Sequence, residues 1–162
     1  MLAILGRVVG FVGFFYHRVQ KFSRQGKWPL TIGVRIIVCN HEQGVLLVRH
    51  TYAPGWHFPG GAVDPRETVA QAAVRELREE ALIAVVGEPA LSGVFLNLTE
   101  NKSDHIAVFT AREWQAVEGN IRALEIAEAK FFPVDALPTG TTGGTRRRLA
   151  EFLGGVPLSP FW

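Results

Sequence analysis

Apolar and polar positions alternate along this chain with two different periods, and the change of period marks its elements. Residues 31–39 (TIGVRIIVC) and 45–50 (VLLVRH) are β-branched or apolar runs of strand length. Residues 40–44 between them are turn material, which predicts a β-hairpin with a loop of about five residues. Residues 83–86 and 90–99 read as strands split by Gly87-Glu88-Pro89. Residues 100–104 form a polar loop, and 105–110 a buried strand. One stretch has a helical period. Val69, Ala73, Leu77 and Ala81 recur at every fourth position, a stripe suited to packing on a sheet. Thr68 and Gln71 have capping-box spacing and predict a start at residue 68; Asp64 followed by Pro65 is a competing start. Residues 121–132 fit either period, and 114–119 fit neither clearly. Residues 146–153 read as a short helix closed by Gly154-Gly155, and the apolar tail 156–162 is expected to pack back. Strands divided by one helix and followed by another predict an α/β fold, a mixed sheet sandwiched between helices (α/β/α).

The first 22 residues are the most apolar segment and lie outside that pattern. Arg7 interrupts the run and His17 and Arg18 end it, so it falls short of the roughly 20 predominantly apolar residues a spanning helix needs. Three readings stay open: packing on the domain or on a second copy in a homodimer, a membrane-surface anchor flanked by Arg7, Arg18, Lys21 and Arg24, or a cleaved signal. Residues 23–29 suit a linker, giving an extension over 1–30 and a single domain over 31–162.

A chain of 162 residues can bury a core without disulfides. A net charge of +2 gives no case for a nucleic-acid partner. The single cysteine, Cys39, cannot build a disulfide framework and reads as a small hydrophobe in a reducing, cytoplasmic setting.

Chemistry concentrates in the predicted helix. Glu76, Glu79 and Glu80 stand at i, i+3 and i+4, which puts three carboxylates on one helix face. Like charges so close repel. A hard divalent cation such as Mg²⁺ or Mn²⁺, which takes oxygen ligands alongside substrate phosphates, turns the repulsion into binding. A solvated acidic face interleaved with Arg75 and Arg78 is the competing reading.

The surrounding spacing weighs against mere solvation. Five residues separate Gly61 from Glu67, seven separate Glu67 from Arg75, and Arg75-Glu76-Leu77-x-Glu79-Glu80 follows. This resembles the Nudix box, G-x5-E-x7-R-E-U-x-E-E-x-G-U, where U is a bulky aliphatic residue. Leu82 replaces the box's second glycine, and Ile83 matches its last position. A glycine just past a helix end takes the left-handed conformation, which leucine adopts only at a cost of roughly 1 kcal/mol. The helix is therefore expected to end differently here, running on a residue or two. Phe131-Phe132-Pro133-Val134-Asp135-Ala136-Leu137-Pro138 is similar to the family's late W-F-P-x-D-x-L-P run.

The resemblance covers about residues 31–155. It implies metal-dependent hydrolysis of a diphosphate linkage in a nucleoside diphosphate derivative, either a nucleotide sugar such as ADP-ribose or a nucleoside triphosphate. A nucleotide-binding module without turnover is the alternative. It implies Glu79 and Glu80 as metal ligands, Glu76 as ligand or general base, Glu67 as a lesser ligand, a carbonyl from Gly61, and Arg75 as organiser of the acids. Glu125, placed from the late run, is the candidate carboxylate from outside the box, ahead of Glu128 and Asp104. Arg35, Arg49 or its neighbour His50, and His57 are candidate substrate contacts. Trp56 and Phe58 could stack a base or fill the core. Arg146-Arg147-Arg148 could hold phosphates or begin a solvated helix.

Overall fold

The computed structural model describes residues 30–40, 44–98 and 103–162; the readings made for residues 1–22 and 23–29 lie outside them. In chain order the elements are β1 (Leu30–Asn40), β2 (Gly44–His50), β3 (Trp56–His57), α1 (Val69–Ala81), β4 (Ile83–Val85), β5 (Ala90–Asn97), β6 (Ser103–Ala111), β7 (Trp114–Ala116), β8 (Ile126–Phe132) and α2 (Gly143–Phe152). The ambiguous 121–132 stretch thus resolves into a turn and a strand. Helix α2 begins three residues earlier than its pattern predicts, because the Thr142 side chain caps it by accepting from Thr145 N–H.

The expected hairpin forms and then opens. β1 and β2 pair only at Cys39–Val45 and Asn40–Gly44. β1 then runs parallel to β6 from Leu30–Ser103 to Val38–Ala111, and β2 lies antiparallel to β8 and β3. Distant strands have taken the edges that a local reading gives to the hairpin. The resulting mixed sheet has the order β3-β2-β1-β6-β5 with β8 also on β2, and β4 pairs with β7 separately.

The centre of β1 is apolar on both faces because both are covered. Val34, Ile36 and Val38 pack with Ala72, Ala73 and Leu77 of α1. Ile37 packs with Phe58, Val108 and Leu149, the last from α2. One helix on each face confirms the α/β/α sandwich, and the stripe on α1 lies where its period puts it. Trp56 and Phe58 are core residues. Among the described residues no helix is long and apolar enough to cross a membrane.

Leu82 corrects one expectation. The helix does not run on: Leu82 itself takes the left-handed conformation, φ 54° and ψ 43°, as a glycine would. Its N–H still bonds Arg78 O at 3.1 Å, and its carbonyl accepts from Val117 N–H at 2.9 Å. The next residue, Ile83, must enter the core as β4 begins. Long-range pairing therefore outweighs a local strain of about 1–2 kcal/mol. The half-buried leucine side chain also packs beside Gly119. Leu82→Gly exchanges that packing for relief of strain, so Tm is expected to move by no more than about 4 °C. Turnover should stay unchanged, because the glycine reproduces the same helix end; thermal melts beside steady-state kinetics check both.

Candidate active site

The site grows from the turn that enters α1. Thr68 caps the helix through both bonds of a capping box, Gln71 N–H to Thr68 Oγ1 at 3.2 Å and Thr68 N–H to Gln71 Oε1 at 2.9 Å. That start leaves Glu67 in the preceding loop, free to turn back along the helix. Gly60 and Gly61 then bring the backbone under the acids. A side chain at Gly60, φ +144°, would meet Val34 O, and one at Gly61 would stand 2.6 Å from Glu76 Oε1.

Arg75 binds the cluster together. Its Nε and Nη2 donate to the two oxygens of Glu67 at 2.8 and 2.9 Å, its Nη1 to Glu76 Oε1 at 2.8 Å and Glu79 Oε2 at 3.1 Å, and Nη2 also to Ala62 O at 3.1 Å. A planar fork with five N–H groups suits this task, and a lysine could not replace it. The same bonds, first those with Glu67, raise the Arg75 pKa, and Arg75 in turn holds the Glu67 carboxyl below its ordinary range.

Two of the acids are buried. Burial raises the Glu76 pKa against the opposing pull of Arg75. Burial pushes Glu80 up to about 8, although Glu80 Oε2 accepts from Gly60 N–H at 2.8 Å. His50, also buried, is driven down to about 4, first by burial and then by Arg35 and His57. His50 Nδ1 stands 3.9 Å from Glu80 Oε1. His50 is thereby a neutral imidazole, so the contact is not an ion pair.

These residues fit a hard divalent cation. All the donors are carboxylate oxygens, two acids are buried at a charge cost that a cation would offset, and the backbone at Gly61 makes room for Glu76. Among the described residues no three acidic, histidine or cysteine side chains already converge as a cage. The Gly61 carbonyl accepts from Val34 N–H at 2.9 Å and so has one lone pair engaged.

The other sequence-derived candidates divide. Arg35 donates to Gly60 O, and its charge acts on Glu80, His50 and His57, so it lies against the cluster. His57 sits beside His50, ring centroids 5.5 Å apart, with Nε2 3.1 Å from Pro54 O. Glu125 precedes β8 half-buried, and its charge acts on Glu80 and on Tyr52. Arg49 does not join them. Successive residues of a strand point to opposite faces, and with His50 turned toward Glu80, Arg49 pairs instead with Glu128 at 3.0 Å and lies over Trp56. Glu128 is thereby placed outside the cluster too. Asp104 bonds Thr31 and Asn97. Arg146 bonds carbonyls of Thr141 and Pro138, Arg147 that of Trp162, and Arg148 is buried, so neither reading of that trio describes all three.

Sequence reasoning missed Arg122 and Tyr52. Arg122 Nη2 lies 2.6 Å from Glu79 Oε2; nothing in its spacing signals this, because a turn carries it to the helix. Tyr52 lies 69% exposed beside His50. The loop bearing it is tied to the 121–125 turn by Thr51 N–H to Glu125 O at 2.9 Å and Thr51 Oγ1 to Leu124 O at 2.8 Å. A groove of about 1130 Å³ is bounded by Glu67, Arg75 and Glu79. Another cavity, about 1260 Å³, opens between Asn40, Arg112, Trp114 and Phe152 and shares no residue with the acids.

Comparison with known proteins gives these features a context. The sequence profile of the NUDIX domain matches residues 29–152. A candidate 8-oxo-dGTP diphosphatase of Bacillus subtilis (strain 168) is 47% identical over 131 residues, which cover 78% of this chain and 82% of that protein. An RNA pyrophosphohydrolase of Serratia proteamaculans (strain 568) is 45% identical over 47 residues, 29% of this chain and 27% of that protein. A crystal structure of a MutT NUDIX hydrolase from Burkholderia pseudomallei superposes with a TM-score of 0.65 at 25% identity, covering 75% of this chain and 96% of that one.

Proposed function

Because the chain belongs to the Nudix hydrolase family and is a Nudix-type pyrophosphohydrolase, we propose that it hydrolyses a nucleoside triphosphate at an acid cluster loaded with Mg²⁺ or Mn²⁺. The observation that carries the assignment of the site is the convergence of Glu67, Glu76 and Glu79 on Arg75 beside buried Glu80. The choice of substrate class is supported by the relative that is 47% identical over most of the chain, whose name specifies a nucleoside triphosphate. The hydrolase domain is assigned to residues 31–162.

In this reading Glu76, Glu79 and Glu80 hold the metal, with Glu67 and the remaining lone pair of the Gly61 carbonyl as lesser contributors. The bound ion supplies charge neutralisation on the polyphosphate and an acidified water. The chain supplies the positions. Arg75 fixes three of the carboxylates before substrate arrives, so little reorganisation is left for the reaction. Arg35 and His57 face the phosphates from β1 and β3. Glu125, carried by a different element from the other acids, accepts the proton of the attacking water on its carboxylate. Tyr52 and Leu124, 69% and 89% exposed, form an apolar rim for the base.

The test is a hydrolysis screen of nucleoside triphosphates, oxidised and unmodified, beside nucleotide sugars, ADP-ribose and dinucleoside polyphosphates, with each metal in turn. Preference for a triphosphate by at least about tenfold in kcat/KM, a transition-state difference of roughly 1.4 kcal/mol, is the expected result. Preference for ADP-ribose or another nucleotide sugar would overturn the substrate assignment and leave the metal site standing.

A further inference from the structure

Glu79 Oε2 carries two guanidinium groups. Arg75 Nη1 donates to it at 3.1 Å and Arg122 Nη2 lies 2.6 Å away. Arg122 Nη1 also lies 3.5 Å from Glu125 Oε2. That arrangement suits a cluster of acids without a metal, since each cation offsets repulsion among them. It conflicts with Glu79 serving as a metal ligand through the same oxygen, and one of the two arginines must yield.

The two are not equally held. Arg75 has further acceptors on Glu67, Glu76 and the Ala62 carbonyl, and its side chain is 24% exposed. Arg122 pairs through its guanidinium with the two carboxylates, and its side chain is 41% exposed. Its backbone, in contrast, is pinned. The N–H donates to Glu79 O at 3.1 Å, and the carbonyl accepts from Glu125 and Ile126 N–H at 2.7 and 2.8 Å. A fixed backbone with a long, half-exposed side chain makes a pivot whose guanidinium sweeps the mouth of the site, between the acids and the Leu124 rim.

We propose that Arg122 is a substrate-binding residue held in reserve: its guanidinium rests on Glu79 and Glu125 until metal and substrate enter, then exchanges those carboxylates for polyphosphate oxygens. This rests on the reading of the acids as a metal site for a nucleoside triphosphate. The exchange is chemically even-handed, because a guanidinium fork matches phosphate oxygens as well as it matches a carboxylate. It also leaves Glu79 available at the moment a cation needs it.

The proposal predicts opposite changes in two measurements. In Arg122→Ala, Mn²⁺ binding to the substrate-free protein, followed by the EPR signal of free Mn²⁺, should tighten by up to about fivefold, since a competing cation is gone. KM for the triphosphate should rise by at least about tenfold, with kcat changed far less, since a charge-assisted bond to substrate is lost. Arg122→Lys should recover part of the KM loss, and Arg122→Gln carries the same two readouts if the alanine variant melts early. An unchanged KM, or Mn²⁺ binding no tighter than in the native protein, overturns the proposal; weaker Mn²⁺ binding would make Arg122 a mere support for Glu79. If the native protein neither binds Mn²⁺ nor turns over a triphosphate, the underlying site reading fails instead.

Discussion

Glu80→Gln is expected to lower kcat by about three orders of magnitude or more while the folded protein loses no stability. The substitution keeps size and shape, and a glutamine oxygen can still accept the Gly60 N–H bond that Glu80 makes at 2.8 Å. What it removes is an anionic oxygen from the cation site. Stabilisation of charge by such a cation is worth several kcal/mol in the transition state, and each 1.36 kcal/mol is a factor of ten. Stability moves the other way. Glu80 is only 4% exposed, and burial disfavours its charged form strongly. A neutral amide escapes that penalty, so the metal-free variant should melt at or above the native temperature. Mn²⁺ separates the two effects: the native protein should gain about 2.7 kcal/mol at a metal concentration one hundred times Kd, and the variant's gain should largely vanish. A variant that melts early with metal and without it would instead make Glu80 a structural residue, its carboxylate needed to hold the Gly60 turn.

How far the sequence foretells this site depends on which residues are close in the chain. Glu67, Arg75, Glu76, Glu79 and Glu80 fall within one turn and one helix, so spacing alone puts them together, and the capping box at Thr68 sets the start. Arg122 reaches Glu79 only because β4 pairs with β7 and the chain then returns by the 121–125 turn; no local period contains that. Arg49 shows the converse. Its position on β2 is legible, but its face is set by β8, whose Glu128 claims it. Leu82 shows a local rule yielding to tertiary demand, since a residue that disfavours the left-handed region takes it so that Ile83 can enter the core. The hairpin opens for the same kind of reason: β6 and β8, far along the chain, outcompete the neighbour. β1 is covered on both faces, as an apolar run with little alternation requires.

The Arg146–Arg148 run turns on the same distinction between local charge and tertiary placement, and it yields the largest expected effect on stability. Arg148 and Glu151 pair at 2.7 Å with side chains 1% and 2% exposed. The guanidinium lies 3.8 Å from the centroid of the Phe95 ring and donates to Ser159 O and Phe161 O, each at 3.1 Å; Glu151 Oε1 accepts from Ser159 N–H at 3.0 Å. The pair therefore ties the C-terminal tail to α2 and β5, and Trp162 N–H bonds Leu96 O alongside. Arg148→Met removes one partner, leaving a buried carboxylate uncompensated, and is expected to cost about 3–5 kcal/mol, a large part of the 5–15 kcal/mol typical of a whole domain. Urea denaturation measures the loss, and hydrogen exchange should show the Trp162 amide opening first. Removing both charges should hurt less. Arg148→Met with Glu151→Leu leaves no buried charge unpaired, and such exchanges run from neutral to stabilising where the packing is kept. None of these partners belongs to the acid cluster, so turnover per folded molecule should be native-like in both variants. A double variant as unstable as the single one would show that the tail is held by the shape of the arginine on Phe95 and not by its charge.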